Sequence, residues 1–458
     1  MPTMVDRGGR VGAAAGFARA TWLAAAVVLF GGGLGWLWLR HWGRVPFSVP
    51  SQPWYHCFPF YVFPHPMMAP GWALLALPAA LGVTVAVVAM AQPKVAWPLR
   101  LAASAAASFV LALAISALGG GPRAWWAPLD STGEYPAGTH LVGAVPSFLR
   151  HFQALLPALP SHAQGHPAGA MVFYGLVDRL RPGLAAAALA TVAVGALGAF
   201  GAGALARDEL GARGGRLAVA VWVLSPGVVL YVATSADAVF ATVLGLAALA
   251  AQRGLVRRSW IWTVAGGALL WVGSMLTYAA GLLLVFLLVR ACGRVRGEPA
   301  WVLHWAAATA AVGLVLVAGL WLATGYDPLA VLRAVHRAYQ GAPGSARRPA
   351  LPWIPGDLLA FGGMLGVPLL GALAVRAVGV VRERAWASVD AAALATLLVA
   401  ASWGFSRGEV ERIFQFLVPL VLIPVSRQLL AWRVRLPVVA ALLLVQTVAV
   451  QVLFATRW

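Results

Sequence analysis

The chain has 458 residues, 61% of them hydrophobic and only 10% charged, with a formal net charge of +19. Its apolar residues arrive in runs of about 17 to 25, the length a helix needs to cross a bilayer, so the composition describes a polytopic membrane protein and excludes a set of soluble domains. Lys94 is the sole lysine and the arginines are dispersed, so no basic block of the kind that grips nucleic acid is present and no nucleic-acid partner is expected.

The first apolar run begins near Thr21, after "MPTMVDRGGRVGAAAGFAR". More spans follow it and no small-residue cleavage site stands out, so it reads as a retained anchor. In chain order the runs fall at about 21–39, 71–91, 99–118, 183–205, 216–231, 236–252, 260–278, 280–291, 301–323, 357–377, 388–404, 411–425 and 436–455. The expected fold is therefore all-α, a single integral membrane domain over residues 1–458 with thirteen spans.

Orientation follows from arginine and lysine, which are held on the cytoplasmic side of short loops during insertion. With the N-terminus inside, the inner segments carry Arg7, Arg10 and Arg19; Lys94 and Arg100; Arg207, Arg213 and Arg216; Arg253, Arg257 and Arg258; Arg290, Arg294 and Arg296; Arg376, Arg382 and Arg384; and Arg427, Arg433 and Arg435. That pattern requires "HPAGAMVFYGLVDRL", residues 166–180, to stay on the outer surface as an interfacial amphipathic helix. Met171, Val172, Phe173 and Leu176 would face lipid there, and His162, His166 and Tyr174 would face a chamber. Cys57 and Cys292 fall on opposite faces and are not expected to pair.

Eight of the fourteen acids then lie outside, where the loops 40–70, 119–182 and 325–356 are long. Sites are commonly built on such loops. In 119–182, Asp130 and Glu134 are the acids ahead of the interfacial helix. A carboxylate at the membrane surface can deprotonate a hydroxyl or hold a metal, and plain solvated acids fit the pattern equally well. His162 and His166 are four apart, but Pro167 argues against one helical face carrying a two-histidine metal site. Hydrogen bonds to loop backbone or to a substrate phosphate are expected instead.

Asp237, in "LSPGVVLYVATSADAVF", is an ionisable group at the mouth of a span, a position that calls for a cavity or a partner. Ser235 and Asp237 both also suit a helix N-cap. In "GYDPLAVLRAVHRAYQGAPGSARRPALPW", Arg333 and Arg337 share a helical face and are followed by Arg347 and Arg348. Such a set suits phosphate, a nonspecific anionic headgroup, or snorkelling. In "SWGFSRGEVERIFQF", Arg407, Glu409, Glu411 and Arg412 crowd the start of a short span. The choice lies between a self-neutralised turn and a buried network around a bound headgroup.

Glu134-Tyr135, "HPAG" at 166–169, "LSP" at 224–226, "LTYAAG" at 276–281, "GYDPLA" at 325–330 and "GEVERIF" at 408–414 together resemble GT-C-type glycosyltransferases that use polyprenyl-phosphate sugars. The likeness is to a multi-span set from GC-rich actinobacteria, with protein O-mannosyltransferases and GPI mannosyltransferases as distant kin. It runs over about residues 120–425 and is carried by order rather than by any single motif. The resemblance implies Glu134 or Asp130 as general base and Asp237 as the acid beside the "LSP" pair. It implies Arg347, Arg348, Arg407 and Arg412 on the lipid phosphate, with or without a divalent cation. The implied partners are a polyprenyl-phosphate sugar donor, membrane lipids and a glycan, lipid or protein acceptor, at the outer face of a bacterial plasma membrane. This sequence departs from the family pattern in three ways: the acid-bearing loop follows the third span, the loop 40–70 has no Asp or Glu, and "HPPG" has become "HPAG". The rival classes are a transporter or lipid flippase, which would show inverted repeats and broken helices, and a non-catalytic scaffold.

Overall fold

The computed structural model describes residues 4–42, 60, 62–64, 68–341, 350–404 and 406–456. Over these residues the chain is a helical membrane bundle. Nine helical stretches are long and apolar enough to cross a bilayer, and Trp260–Leu276 and Val389–Ser402 are shorter apolar helices. The chain opens with α1 (Met4–Trp42), which extends the predicted first span through the N-terminal arginines. Then α2 (Pro70–Met90) and α3 (Trp97–Gly120) form a hairpin. Arg100 is buried at its turn and donates to the carbonyls of Met90, Gln92 and Val95, each at 2.7 Å. A buried guanidinium is tolerated there because it meets carbonyls left over at a helix C-terminus.

After α3 the loop lays down three 3-10 turns, Gly121–Trp125, Ala127–Asp130 and Tyr135–Val142, then α4 (Val145–Leu155), α5 (Ser161–Gln164) and α6 (Gly169–Leu180). The helix α6 is amphipathic and too short to cross. Next come α7 (Leu184–Ala196) and α8 (Gly198–Leu224). The latter is a hairpin, folded at Gly211, whose φ of 72° and ψ of −174° favour a residue without Cβ. Its arms touch: a Cβ on Gly203 would strike Val219, and one on Gly215 would lie 2.6 Å from the Arg207 Cβ.

The predicted span 216–231 is interrupted at "LSP", where Ser225 leaves the helical region and α9 (Pro226–Val232) starts afresh. The residue before a proline avoids helical geometry, and Ser225 uses its hydroxyl on the Leu365 carbonyl instead, at 2.8 Å. The chain continues with α10 (Asp237–Arg257), α11 (Trp260–Leu276), α12 (Leu283–Val295) and α13 (Pro299–Thr324). Beyond them lie the amphipathic α14 (Pro328–Gly341) and then α15 (Ala350–Leu365) and α16 (Val367–Arg382). The predicted span 357–377 is broken at Gly366, φ 121°, yet both halves run along α1, with Leu359 at Gly31 and Gly371 at Ala20. Last come α17 (Val389–Ser402), α18 (Val410–Ile413), α19 (Val418–Ala431) and α20 (Leu436–Leu453). The one sheet among the described residues pairs Val62–Pro64 antiparallel with Phe454–Thr456, a contact too short to leave a period-two signature in sequence.

The centre of the bundle is α10 and the stretch 410–431, while α13 and α1 lie at the rim with their apolar faces turned outward. One end is rich in arginine and closed by ion pairs. Arg253 and Arg257 hold Asp208, Arg290 holds Glu209, and Arg376 and Arg427 converge on the buried Asp390. At the opposite end a second core lies beneath the loop 119–182, built on Tyr135, Phe152, Met171, Tyr174, Phe240 and Tyr326.

Candidate functional site

Four carboxylates at this second end, Glu134, Asp237, Asp357 and Glu411, are buried, and two of them meet partners far away in sequence. Glu134, 5% exposed, stands just ahead of the 3-10 turn that starts at Tyr135. Its Oε1 lies 2.8 Å from His162 Nδ1. The His162 backbone N–H donates to the Gly133 carbonyl at 3.1 Å, so backbone and side chain together fix the pair. His166 Nδ1 bonds the His162 carbonyl at 3.1 Å, as expected for a loop histidine, and packs against Phe240 and edge-on to Tyr135. Burial pushes the His166 imidazolium down in spite of the opposing pull of Asp237, so the ring is held neutral.

Asp237 is the first residue of α10, and its negative charge faces the positive end of that helix. It does not cap the helix with its side chain. Instead its Oδ2 accepts from Ser235 Oγ at 2.7 Å and from Arg412 Nη1 at 2.6 Å. Arg412 reaches Glu409 with its other terminal nitrogen at 2.9 Å. Glu409 sits at φ 63°, in the left-handed region, beside Gly408 at φ 93°. A non-glycine residue held there carries strain. The bend it makes aims the Gly408 N–H at Asp357 Oδ1, 2.9 Å away. Glu411 is fully buried one turn on, within electrostatic reach of Tyr231.

Between the Glu134–His162 contact and the Asp237–Arg412 ion pair stands Tyr135, stacked on Tyr174 at 5.7 Å and within the fields of Asp237, Glu134 and Arg412. Burial holds its phenol proton well above the usual range, and the same holds for Tyr174, whose hydroxyl meets Thr191 Oγ1 at 2.9 Å. The result is a largely buried nest of two phenols, an imidazole, the Glu134–His162 contact and the Asp237–Arg412 ion pair. Fixed groups of this kind act strongly on developing charge because little solvent screens them.

Not every sequence-chosen residue belongs to this nest. Asp130 is exposed and enters no ion pair among the described residues. Arg333 and Arg337 lie on the exposed face of α14, with Arg337 Nε turned back to the Arg333 carbonyl at 3.3 Å, because Val331 and Val335 claim the buried face. Arg347 and Arg348 lie outside the described residues. Arg407 is half-buried and lies over Gly404. Met171 was expected to face lipid, yet it is fully buried because Gly138 leaves room for its methyl end; Tyr174 is buried too, and of the four apolar residues only Leu176 is well exposed.

Residues missed by sequence reasoning are Tyr135 as the central ring and Asp357. The latter is an acid within an apolar helix, the same signal that singled out Asp237. No three His, Cys, Asp or Glu side chains form a metal-ligand group among the described residues. Comparison with protein-family models, with curated proteins and with solved structures gave no match.

Proposed function

We propose that the chain is a GT-C-type membrane glycosyltransferase with thirteen spans and a cytoplasmic N-terminus. It moves a sugar from a polyprenyl-phosphate donor to a hydroxyl acceptor at the outer face of a bacterial plasma membrane. The observation that carries this reading is the meeting of Glu134–His162, from the loop, with Asp237–Arg412, from two core segments, around Tyr135 at the end away from the arginine-rich one.

Positive residues favour the cytoplasm, which supports an outward-facing nest. The pairing of 62–64 with 454–456 supports an odd number of crossings, since it sets the end of α20 on the same face as the loop after α1. Ion pairs tying α8 to α10 and α12, and α17 to α16 and α19, at the arginine-rich end favour a bundle open to one side over a transporter that opens to both.

In the proposed reaction the acceptor oxygen bonds to the anomeric carbon. The bond from that carbon to the donor phosphate oxygen breaks, and its electron pair leaves with the polyprenyl phosphate. Glu134 takes the acceptor proton, with His162 beside it. Arg412, held by Asp237 and Glu409, and Arg407 supply positive charge toward the departing phosphate.

The test is transfer of radiolabelled sugar from polyprenyl-phosphate mannose or glucose to membrane acceptors by the protein in proteoliposomes. Glu134→Gln and Asp237→Asn should each lower transfer by about 10² or more while the proteins stay folded and inserted. Full activity in both variants, or no transfer by the unaltered protein from either donor, would overturn the proposal.

A further inference from the structure

Beside the buried nest, at the corner where α6 turns into α7, lies a cavity of about 170 Å³. Its apolar lining is Pro136, Leu184, Ala187 and the buried Tyr174, and its polar side chains are Thr139 and Asp178. Gly183 closes the corner at φ 111°, and its N–H donates to Asp178 Oδ1 at 3.3 Å. That bond orients the carboxylate and leaves Oδ2 for a ligand. Thr139 Oγ1 gives its proton to the Pro136 carbonyl at 3.0 Å, so toward the cavity it can only accept.

The cavity thus offers two acceptors, no cationic donor among its lining residues, and apolar sides. A phosphate would meet the Asp178 charge and find no guanidinium among the lining residues. A pyranose matches the pattern, because its hydroxyls donate to the two acceptors and its C–H faces lie against apolar walls. At about 30 Å³ per water, the space equals about six waters, enough for one sugar ring. Tyr174 lines this cavity and stacks on Tyr135, and Tyr135 follows Glu134 directly, so two tyrosine rings divide the cavity from the nest.

We infer that this cavity is a carbohydrate subsite that seats a non-reacting sugar unit of a saccharide acceptor. Its role in catalysis rests on the glycosyl-transfer proposal above, whereas the binding itself does not.

The experiment is saturation-transfer-difference NMR on the full chain in detergent, with methyl α-glucopyranoside, methyl α-mannopyranoside and methyl α-galactopyranoside as probes. At least one probe should give signal that falls at least tenfold in Asp178→Asn, which keeps the oxygen that holds Gly183, and in Thr139→Val. Asp130→Ala should leave the signal unchanged. The inference is overturned by absence of signal from all three glycosides, by signal indifferent to both substitutions, or by an Asp178-dependent signal from ethanolamine alone, which would mark an ammonium site. Glycoside binding without any transfer activity would sink the glycosyltransferase proposal and leave the sugar site standing. Transfer with an acceptor KM unmoved by Asp178→Asn would sink its assignment to the acceptor.

Discussion

Replacing Arg412 with methionine tests the buried core of the site most sharply on stability grounds. The substitution removes one of the two side-chain donors on Asp237 Oδ2, leaving only Ser235 Oγ. Asp237 is 7% exposed, so its charge stays out of water with no cation beside it. Removing one partner of a buried ion pair costs about 3–5 kcal/mol. Glu409 loses the same guanidinium, but at 22% side-chain exposure it is partly solvated and adds less than about 1 kcal/mol. Pairing Arg412→Met with Asp237→Asn removes the stranded charge and should recover about 2 kcal/mol or more. Reversible unfolding of purified protein in mixed detergent micelles, titrated with SDS, gives the four corners of this cycle. An Arg412→Met variant within about 1 kcal/mol of the original, or a double variant whose loss is the sum of the two single losses, would refute a buried, coupled pair.

Gly169→Ala should loosen the seat of α6 on α11, because the added Cβ would strike the Met275 carbonyl, a backbone atom with nowhere to go. The expected loss is about 1–3 kcal/mol, seen as a lower melting temperature and faster proteolysis of the loop 119–182. His166 gives a pH signature with a defined sign. Its imidazolium is disfavoured in the folded protein, so the unfolded chain binds the extra proton first. The contribution is fully present above the ordinary histidine value near 6.5 and is lost as pH falls toward the depressed folded value. Melting temperatures at pH 7.5 and 5.5 should therefore differ more for the original than for His166→Gln, and equal differences would contradict the burial. Tyr174→Phe should cost only about 0.5–1.5 kcal/mol, since Thr191 keeps its bond to the Ala187 carbonyl and the ring stack remains; a larger loss in the same SDS titration would mean that the hydroxyl holds more than Thr191.

The bundle was legible because its cause lies in composition. Long apolar runs dictate membrane-length helices without reference to tertiary contacts. The breaks were harder. Gly366 sits inside an apolar run whose hydropathy never drops, so only its φ of 121° marks the division. The turn between the runs 183–205 and 216–231 was expected, but not that helix would fill the polar stretch and leave the turn to Gly211 alone. In the site, Asp237 and Arg412 stood out singly as charges at span mouths, but their bond joins residues 175 apart. Pairing at that separation depends on packing that a lone sequence does not carry. Glu134 and His162 were each visible as loop polar residues, while the meeting between them hangs on a backbone bond from His162 to Gly133. Arg333 and Arg337 misled for a physical reason. Four-residue spacing puts them on one face of α14 without saying which, and the valines took the buried one.

Sidedness is the point on which the whole assignment turns, and cysteine labelling in intact cells reads it directly. With native cysteines replaced by serine, one cysteine is introduced at Ser131, exposed beside Glu134, and another in a second protein at Ala212, exposed at the arginine-rich hairpin. A membrane-impermeant maleimide should label position 131 in whole cells and position 212 only after lysis. Labelling of 212 but not 131 in whole cells would put the Glu134–His162 and Asp237–Arg412 pairs on the cytoplasmic side and contradict transfer at the outer face.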